Sequence, residues 1–479
     1  MEEAKHFIGG GWTAPASGES IDMIDPCDGQ PFARIARGNA ADIESAVTSA
    51  RAAYDGAWGQ KSAAERGRIL FRLSMLIAAC GEELARLEAK DTGKPLREAR
   101  ADAAALARYF EFYAGACDKL HGATLPYQPG YTVMTVREPH GVTGHIVPWN
   151  YPMQIFGRSV GAALAAGNAC VVKPSEDACL TILRVAEIAA EAGLPAGALN
   201  IVTGYGTEAG AALARHPGVD HISFTGSPSV GTLVSQLAAE HHAPTTLELG
   251  GKSPQIVFAD ADLDAALPTL VSAIIQNAGQ TCSAGSRVLI ERAVYAPLLE
   301  RLSAAFAALR AGPSALDPDC GPLINAKQHQ RVAQFVANAE RDGIRLAARG
   351  KIDANAPSGG FYQAPTLFAD VPIEHRLAQE EIFGPVLAAT PFEDEAQALS
   401  LANGTRYGLV AGVWTRDGAR QLRLARRLRA GQVFINNYGA GGGVELPFGG
   451  AGQSGHGREK GFEALYGFTT LKTIAIRHG

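Results

Sequence analysis

His221-Ile222-Ser223-Phe224-Thr225-Gly226-Ser227-Pro228-Ser229-Val230-Gly231 is the stretch on which the fold turns. His221–Phe224 reads as a short apolar strand. Ser227 then suits a helix N-cap and Pro228 the first helical turn. A strand that runs through a small-residue loop into a helix is half of a βαβ unit. The helix start also presents free N–H groups and a positive dipole end, a good site for a pyrophosphate. The loop is neither a Walker A motif nor a G-x-G-x-x-G fingerprint. A capped helix with no ligand would fit these residues equally well.

The same beat extends in both directions. Strand candidates are Val142–Val147, Ala169–Lys173, Leu199–Val202 and Thr245–Leu249, with helical stretches at Met153–Ala166, Ala178–Ala192 and Pro228–Glu240 between them. Apolar strands alternating with helices predict a parallel sheet covered on both faces. Past residue 250 the beat is less regular. Gln255–Phe258, Val288–Ile290, Leu387–Thr390, Val410–Trp414 and Val433–Asn436 supply strands for a second α/β unit. Upstream, helices are expected over 39–58, after the capping box Ser62-Ala63-Ala64-Glu65, and from Leu96 to about Lys119. Tyr131–Val136 reads as a strand. The tail Gly467–Ile476 alternates like a lone strand and needs a partner edge, in this chain or a neighbour.

Composition sets the bounds. Hydrophobic residues make up 47% and charged residues 19% of 479, enough for large cores. Lys and Arg number 43 against 48 Asp and Glu, a net charge of -5. Grip on nucleic acid is therefore not expected. Nor is a membrane span, since no apolar run approaches ~20 residues. Met1-Glu2-Glu3-Ala4-Lys5-His6 does not read as a secretory leader. The seven cysteines form no C-x-x-C pair and no zinc spacing, so no metal site is expected and a reducing cytoplasm is.

Four further segments carry chemistry. Gln280-Thr281-Cys282-Ser283-Ala284-Gly285 sets one thiol in a polar, small-residue loop, which suits a nucleophile better than a core cysteine. Glu248, in Leu247-Glu248-Leu249-Gly250-Gly251, ends an apolar strand. Burial there would raise its pKa toward that of a general base, whereas an outward-facing carboxylate would be inert. Pro148-Trp149-Asn150-Tyr151-Pro152 is a stiff loop in which Asn150 offers N–H donors to an oxyanion or simply caps a turn. Lys173-Pro174-Ser175-Glu176 sits past a strand's carboxyl end, where ligands of open α/β sheets bind.

Taken together these segments resemble the aldehyde dehydrogenase superfamily over essentially the whole chain. PWNYP at 148–152, KPSE at 173–176, FTGS at 224–227, ELGGKSP at 248–254, GQTCSAGSR at 279–287, EEIFGPV at 380–386 and PFGG at 447–450 appear in family order, followed by Ser454-Gly455 and Gly457-Arg458-Glu459. The resemblance implies an α/β fold with a Rossmann-like cofactor domain (1–117 and 138–248), an α/β catalytic domain (249–446) and a small β oligomerisation hairpin (118–137 and 460–479). It implies NAD as cofactor and a homodimer or homotetramer. It casts Cys282 as nucleophile, Glu248 as general base and Asn150 as oxyanion-hole side chain. Lys173 and Glu176 match adenosine-ribose contacts. Trp149, Gly226 and Ser227 match the cofactor groove, and Glu381 and Phe383 the nicotinamide side.

The implied reaction oxidises an aldehyde to an acid through a cysteine thiohemiacetal and thioester. Glu248 argues against a coenzyme-A-acylating branch, and Glu176 for NAD over NADP. Arg158 falls where succinate-semialdehyde dehydrogenases carry a substrate-binding arginine. Their second arginine is replaced by Gln276, and the loop 438–445 departs from their pattern. An aromatic, betaine or small aliphatic aldehyde is the alternative substrate. A Cys/Glu thiol esterase is the alternative chemistry, but it leaves FTGS, KPSE and EEIFGPV without a purpose.

Overall fold

An eight-stranded sheet holds the amino-terminal half together. The computed structural model describes residues 3–479, so Met1 and Glu2, which the leader reading used, lie outside the described residues. The strand order is Gly455–His456, Thr245–Glu248, His221–Thr225, Val142–Val147, Ala169–Pro174, Leu199–Ile201, His6–Ile8 and Gly11–Thr13. The central five run parallel. The edge strands are antiparallel, which makes the sheet mixed. His221–Thr225 and Ala169–Pro174 are buried from end to end, as strands covered on both faces must be. The helices Pro152–Ala166 and Ala40–Asp55 supply that cover.

Caps expected from the sequence are made. Ser62 and Glu65 exchange side-chain-to-backbone bonds at the start of Ala63–Ala79. Ser227 accepts the amide of Val230 at the start of Pro228–Ala239. The helix expected to reach Lys119 spans Leu96–Ala116. Two short hairpin strands, His6–Ile8 and Gly11–Thr13, escape a sequence reading because three residues are too few to show a period.

A second sheet has the order Arg345–Arg349, Thr366–Ala369, Val386–Phe392, Arg287–Glu291, Pro254–Val257, Val410–Trp414 and Gln432–Ile435. All pairings are parallel except the edge strand Arg345–Arg349. The tail finds its partner within the chain. Thr469–Arg477 pairs antiparallel with Tyr131–Pro139, whose other side takes Ala123–Leu125. Asn168 ties this small sheet to the large one. Its Nδ2 donates to the carbonyl of Phe468 at 2.9 Å, and its own carbonyl accepts Trp58 Nε1 at 2.8 Å.

His145 lies fully buried at this junction, stacked on Phe468 and hydrogen-bonded to Thr143 Oγ1 at 2.9 Å. Burial pushes its pKa down to about 3 from 6.5. The folded state thus favours the neutral ring. That contribution is complete above pH 6.5 and is lost as pH falls toward about 3. His145→Leu should lose less stability than the parent on acidification below pH 6.5, the gap closing by about 1.4 kcal/mol per pH unit. Urea midpoints measured across that range test this, and parallel curves would refute it.

Candidate active site

The chain crosses from one sheet to the other through residues 249–253. Strands of the first sheet end toward this crossing, at Val147, Pro174, Thr225 and Glu248. Strands of the second begin from it, at Pro254, Arg287, Val386 and Val410. The loops that carry the singled-out residues therefore face one another. Asn150, Glu176 and Ser227 follow strands of the first sheet, while Cys282, Glu381 and Phe383 precede strands of the second.

The thiol loop is built on backbone strain. Asn277, Ala278 and Gly279 all take left-handed φ, at 49°, 53° and 73°. For the two residues with side chains this costs about 1–2 kcal/mol each. The turn is held from outside. Asn277 Nδ2 donates to the carbonyl of Asn150 at 2.8 Å, and its amide donates to Glu98 Oε2 at 2.8 Å. Gln280 Oε1 accepts the amide of Ile324 at 2.9 Å. Asn150 Nδ2 donates to the carbonyl of Gln280 at 2.9 Å. Tyr151 and Thr281 share a hydroxyl contact of 2.9 Å, and Tyr438 donates to the carbonyl of Ser283 at 2.6 Å.

Cys282 and Asn150 line the same cleft, of about 840 Å³. Burial pushes the Cys282 thiol up to about 12, with Arg158 pulling it back down and Glu381 and Glu248 adding to the rise. Glu248 is thus within electrostatic reach of the sulfur. Both its carboxylate oxygens are buried and lack a hydrogen-bond partner among the described residues. Burial first, and then the nearby Glu459, hold its pKa well above the carboxylate range. This environment favours the protonated carboxyl of Glu248 over the carboxylate.

Arg158 also lines the cleft, but its guanidinium is committed. Nε pairs with Glu459, Nη2 donates to Thr225 Oγ1 at 3.3 Å, and the group lies 4.9 Å from the Phe448 ring. The carboxylate clamp expected of it would have to compete with Glu459.

A second set of groups lies outside the lining of that cleft. Glu381 accepts the amide of Gly251 at 3.0 Å, and burial pushes its pKa up to about 7. A Cβ on Gly250 would stand 2.2 Å from Glu381 Oε2, and one on Gly251 would stand 2.3 Å from the carbonyl of Cys282. Gly251, which faces backbone, is therefore a steric requirement, while Gly250 leaves room for the Glu381 carboxyl. Phe383, with φ at 61°, meets Trp149 edge to face at 5.4 Å. Lys173 Nζ donates to Glu176 Oε2 at 2.9 Å at the end of its strand. The partners that fix these groups carry no local mark in the order of residues. The burial of Glu459, Lys252 and Lys94, and the pairing of Glu459 and Lys94, are tertiary facts. The Lys252 amine is buried without a hydrogen-bond partner among the described residues, and burial brings its pKa down to about 7.

Residues 12–474 match the model of the aldehyde dehydrogenase family. The chain belongs to that family. Over 480 residues it is 44% identical to the NADP/NAD-dependent aldehyde dehydrogenase PuuC of Escherichia coli K12, spanning 99% of this chain and 96% of that one. A mutant of the indole-3-acetaldehyde dehydrogenase AldA of P. syringae, solved with NAD+ and IAA, superposes with a TM-score of 0.96 at 42% identity, covering 99% and 96%. A Burkholderia cenocepacia crystal structure, itself provisionally named an aldehyde dehydrogenase, reaches a TM-score of 0.99 at 78% identity, covering 99% and 100%. Membership makes the chain an oxidoreductase acting on aldehydes. Among the described residues no helix is long and apolar enough to cross a membrane, and no cluster of His, Cys, Asp or Glu could hold a metal ion.

If Gly251 must lack a side chain, Gly251→Ala should displace the Cys282 backbone and lower aldehyde turnover by about 100-fold. The far-UV circular dichroism spectrum should stay native. Parental turnover would show that the contact yields freely.

Proposed function

We propose that the protein oxidises an aldehyde to its carboxylic acid with NAD, through a thiohemiacetal and then a thioester on Cys282. The observation that carries this is Cys282 in one cleft with Asn150 and within electrostatic reach of both Glu248 and Glu381. The second set of groups, outside the cleft lining, fits a dinucleotide. Ser227 opens a helix of twelve residues beyond a strand end, a suitable seat for a pyrophosphate. Gly226, just before it, packs against the Phe224 ring, which a Cβ there would meet at 2.5 Å. Lys173 and Glu176 suit ribose hydroxyls, and the Trp149–Phe383 pair with Glu381 suits the nicotinamide end. When bound, NAD supplies the hydride acceptor.

The protein's own groups do the rest. Cys282 attacks the carbonyl carbon as the thiolate. Asn150 Nδ2 and the Cys282 amide donate to the oxygen that becomes anionic, at ~3 kcal/mol per donor. Arg158, whose charge does most to lower the thiol, offsets the burial that opposes its ionisation. Glu248 then takes a proton from water, which cleaves the thioester and releases the acid. We assign 1–117 and 138–248 to the cofactor domain, 249–446 to the catalytic domain, and 118–137 with 460–479 to oligomerisation. The strand Thr469–Arg477 exposes Leu471 and Ile476 along its length, which suits a homodimer or homotetramer. Seven free thiols suit a reducing cytoplasm. For the substrate we favour a carboxylated semialdehyde, because Arg158 and Lys460 stand on the cleft wall while its acids Glu98, Asp102 and Glu445 are engaged by other protein groups.

Glu248→Gln should give a burst of about one NADH per subunit and then stall, its steady turnover lowered about 100-fold or more. Unimpaired steady turnover would remove Glu248 from the hydrolytic step. A thiol esterase would give no NADH at all.

The Glu176 carboxylate should repel a 2′-phosphate. NAD should therefore exceed NADP in kcat/KM, and Glu176→Gln should narrow the ratio. The E. coli relative is named for both cofactors, so the ratio, measured on both proteins, is the relevant quantity. A ratio favouring NADP would refute the assignment.

A further inference from the structure

The cleft wall holds three cations, and two of them are already matched. Arg158 pairs with Glu459, and Arg108 pairs with Glu445 and with Glu111. The acids on the wall are also accounted for. Asp102 is taken by Lys94 and by Gln154 Nε2 at 2.6 Å, and Glu98 accepts the amide of Asn277. Lys460 is different. It lines the same cleft, yet among the described residues no carboxylate lies within ion-pair distance of it, Glu445 acting on it from farther off. Among the described residues its Nζ donates only to the carbonyl of Gly442, at 2.6 Å, and it lies 5.9 Å from the Phe448 ring.

Its backbone is held in place at some cost. Lys460 has a φ of 61°, in the left-handed region that residues with a side chain seldom occupy. Both neighbours are clamped to the cleft wall. Glu459 exchanges two backbone hydrogen bonds with Phe448, at 2.7 and 2.8 Å, and the amide of Gly461 donates to Val444 at 2.8 Å. Strained residues held by their surroundings cluster where a ligand is gripped. Burial, with Arg158 nearby, brings the Lys460 amine down to about 8, and Glu445, which is paired with Arg108, acts against that fall. A half-buried ammonium whose facing acid is already engaged elsewhere gains from a ligand that brings a carboxylate.

We propose that Lys460 is the residue that selects the substrate: its ammonium pairs with a carboxylate at the far end of the aldehyde, so that the preferred substrates are aldehyde acids. This rests on the aldehyde-oxidising function proposed above and moves the task of carboxylate recognition from Arg158 to Lys460. Arg158 is retained by Glu459, while Lys460 has only a backbone carbonyl to exchange.

The test compares kcat/KM for succinate semialdehyde with that for butanal, in the parent, Lys460→Met and Lys460→Arg. Taking the ratio within each protein cancels any loss of folded enzyme. The parent should prefer the acid by about tenfold or more. Lys460→Met should bring the ratio near unity through KM for the acid, and Lys460→Arg should restore most of it. A ratio unchanged in Lys460→Met, or a parent that prefers butanal, would overturn the assignment. A parent that reduces NAD with neither aldehyde would instead overturn the function on which it rests.

Discussion

The carbonyl oxygen of Asn150 is the point at which the two sheets are locked together. It accepts Lys94 Nζ at 3.0 Å from the amino-terminal helices and Asn277 Nδ2 at 2.8 Å from the thiol loop. Its own side chain reaches across to the carbonyl of Gln280. Lys94 is itself fully buried and is balanced by Glu88 and Asp102. Breaking such a buried network strands a charge or an amide without a partner, which costs far more than one hydrogen bond is worth. The network therefore fixes the loop that carries Cys282 against Asn150, although Asn150 and Gln280 lie 130 residues apart.

That lock explains why strain is tolerated beside the sulfur. Three successive left-handed residues could not persist in an isolated peptide. Held by Asn150, Glu98 and the close approach of Gly279 to Gly384, they turn the chain sharply enough to set Cys282 at the head of the strand Arg287–Glu291. The same dry surroundings raise the thiol and the carboxyls of Glu248 and Glu381 toward their neutral forms. A site so poor in water strengthens every charge that is present. It also explains why Glu459 beside Arg158, and Lys460 beside the cleft, weigh so heavily.

Much of the architecture was legible in the order of residues. The central parallel strands differ from their expected spans by one residue at most at either end, because strands buried on both faces are written as uninterrupted apolar runs. Helix starts were legible where a serine and a glutamate stand three apart. The short hairpin near the amino terminus and the strand Thr366–Ala369 were not. One is too short to show a period, and the other is a four-residue run that gives no sign of whether it is strand or helix. The candidate site was legible as a list of side chains. Its electrostatics were not, since the sequence shows Arg158 as a free cation and only the fold pairs it with Glu459, 301 residues away.

By itself the sequence determined the α/β class, the family and the identities of the thiol, carboxylate and amide that meet at the site, because each is marked by local chemistry: a strand end, a glycine pair, a proline-bracketed turn. Only the tertiary structure decided which charges are cancelled and which remain available. Compensation between charges depends on distance through space, and Glu459 and Lys460 are adjacent in the chain yet face entirely different partners.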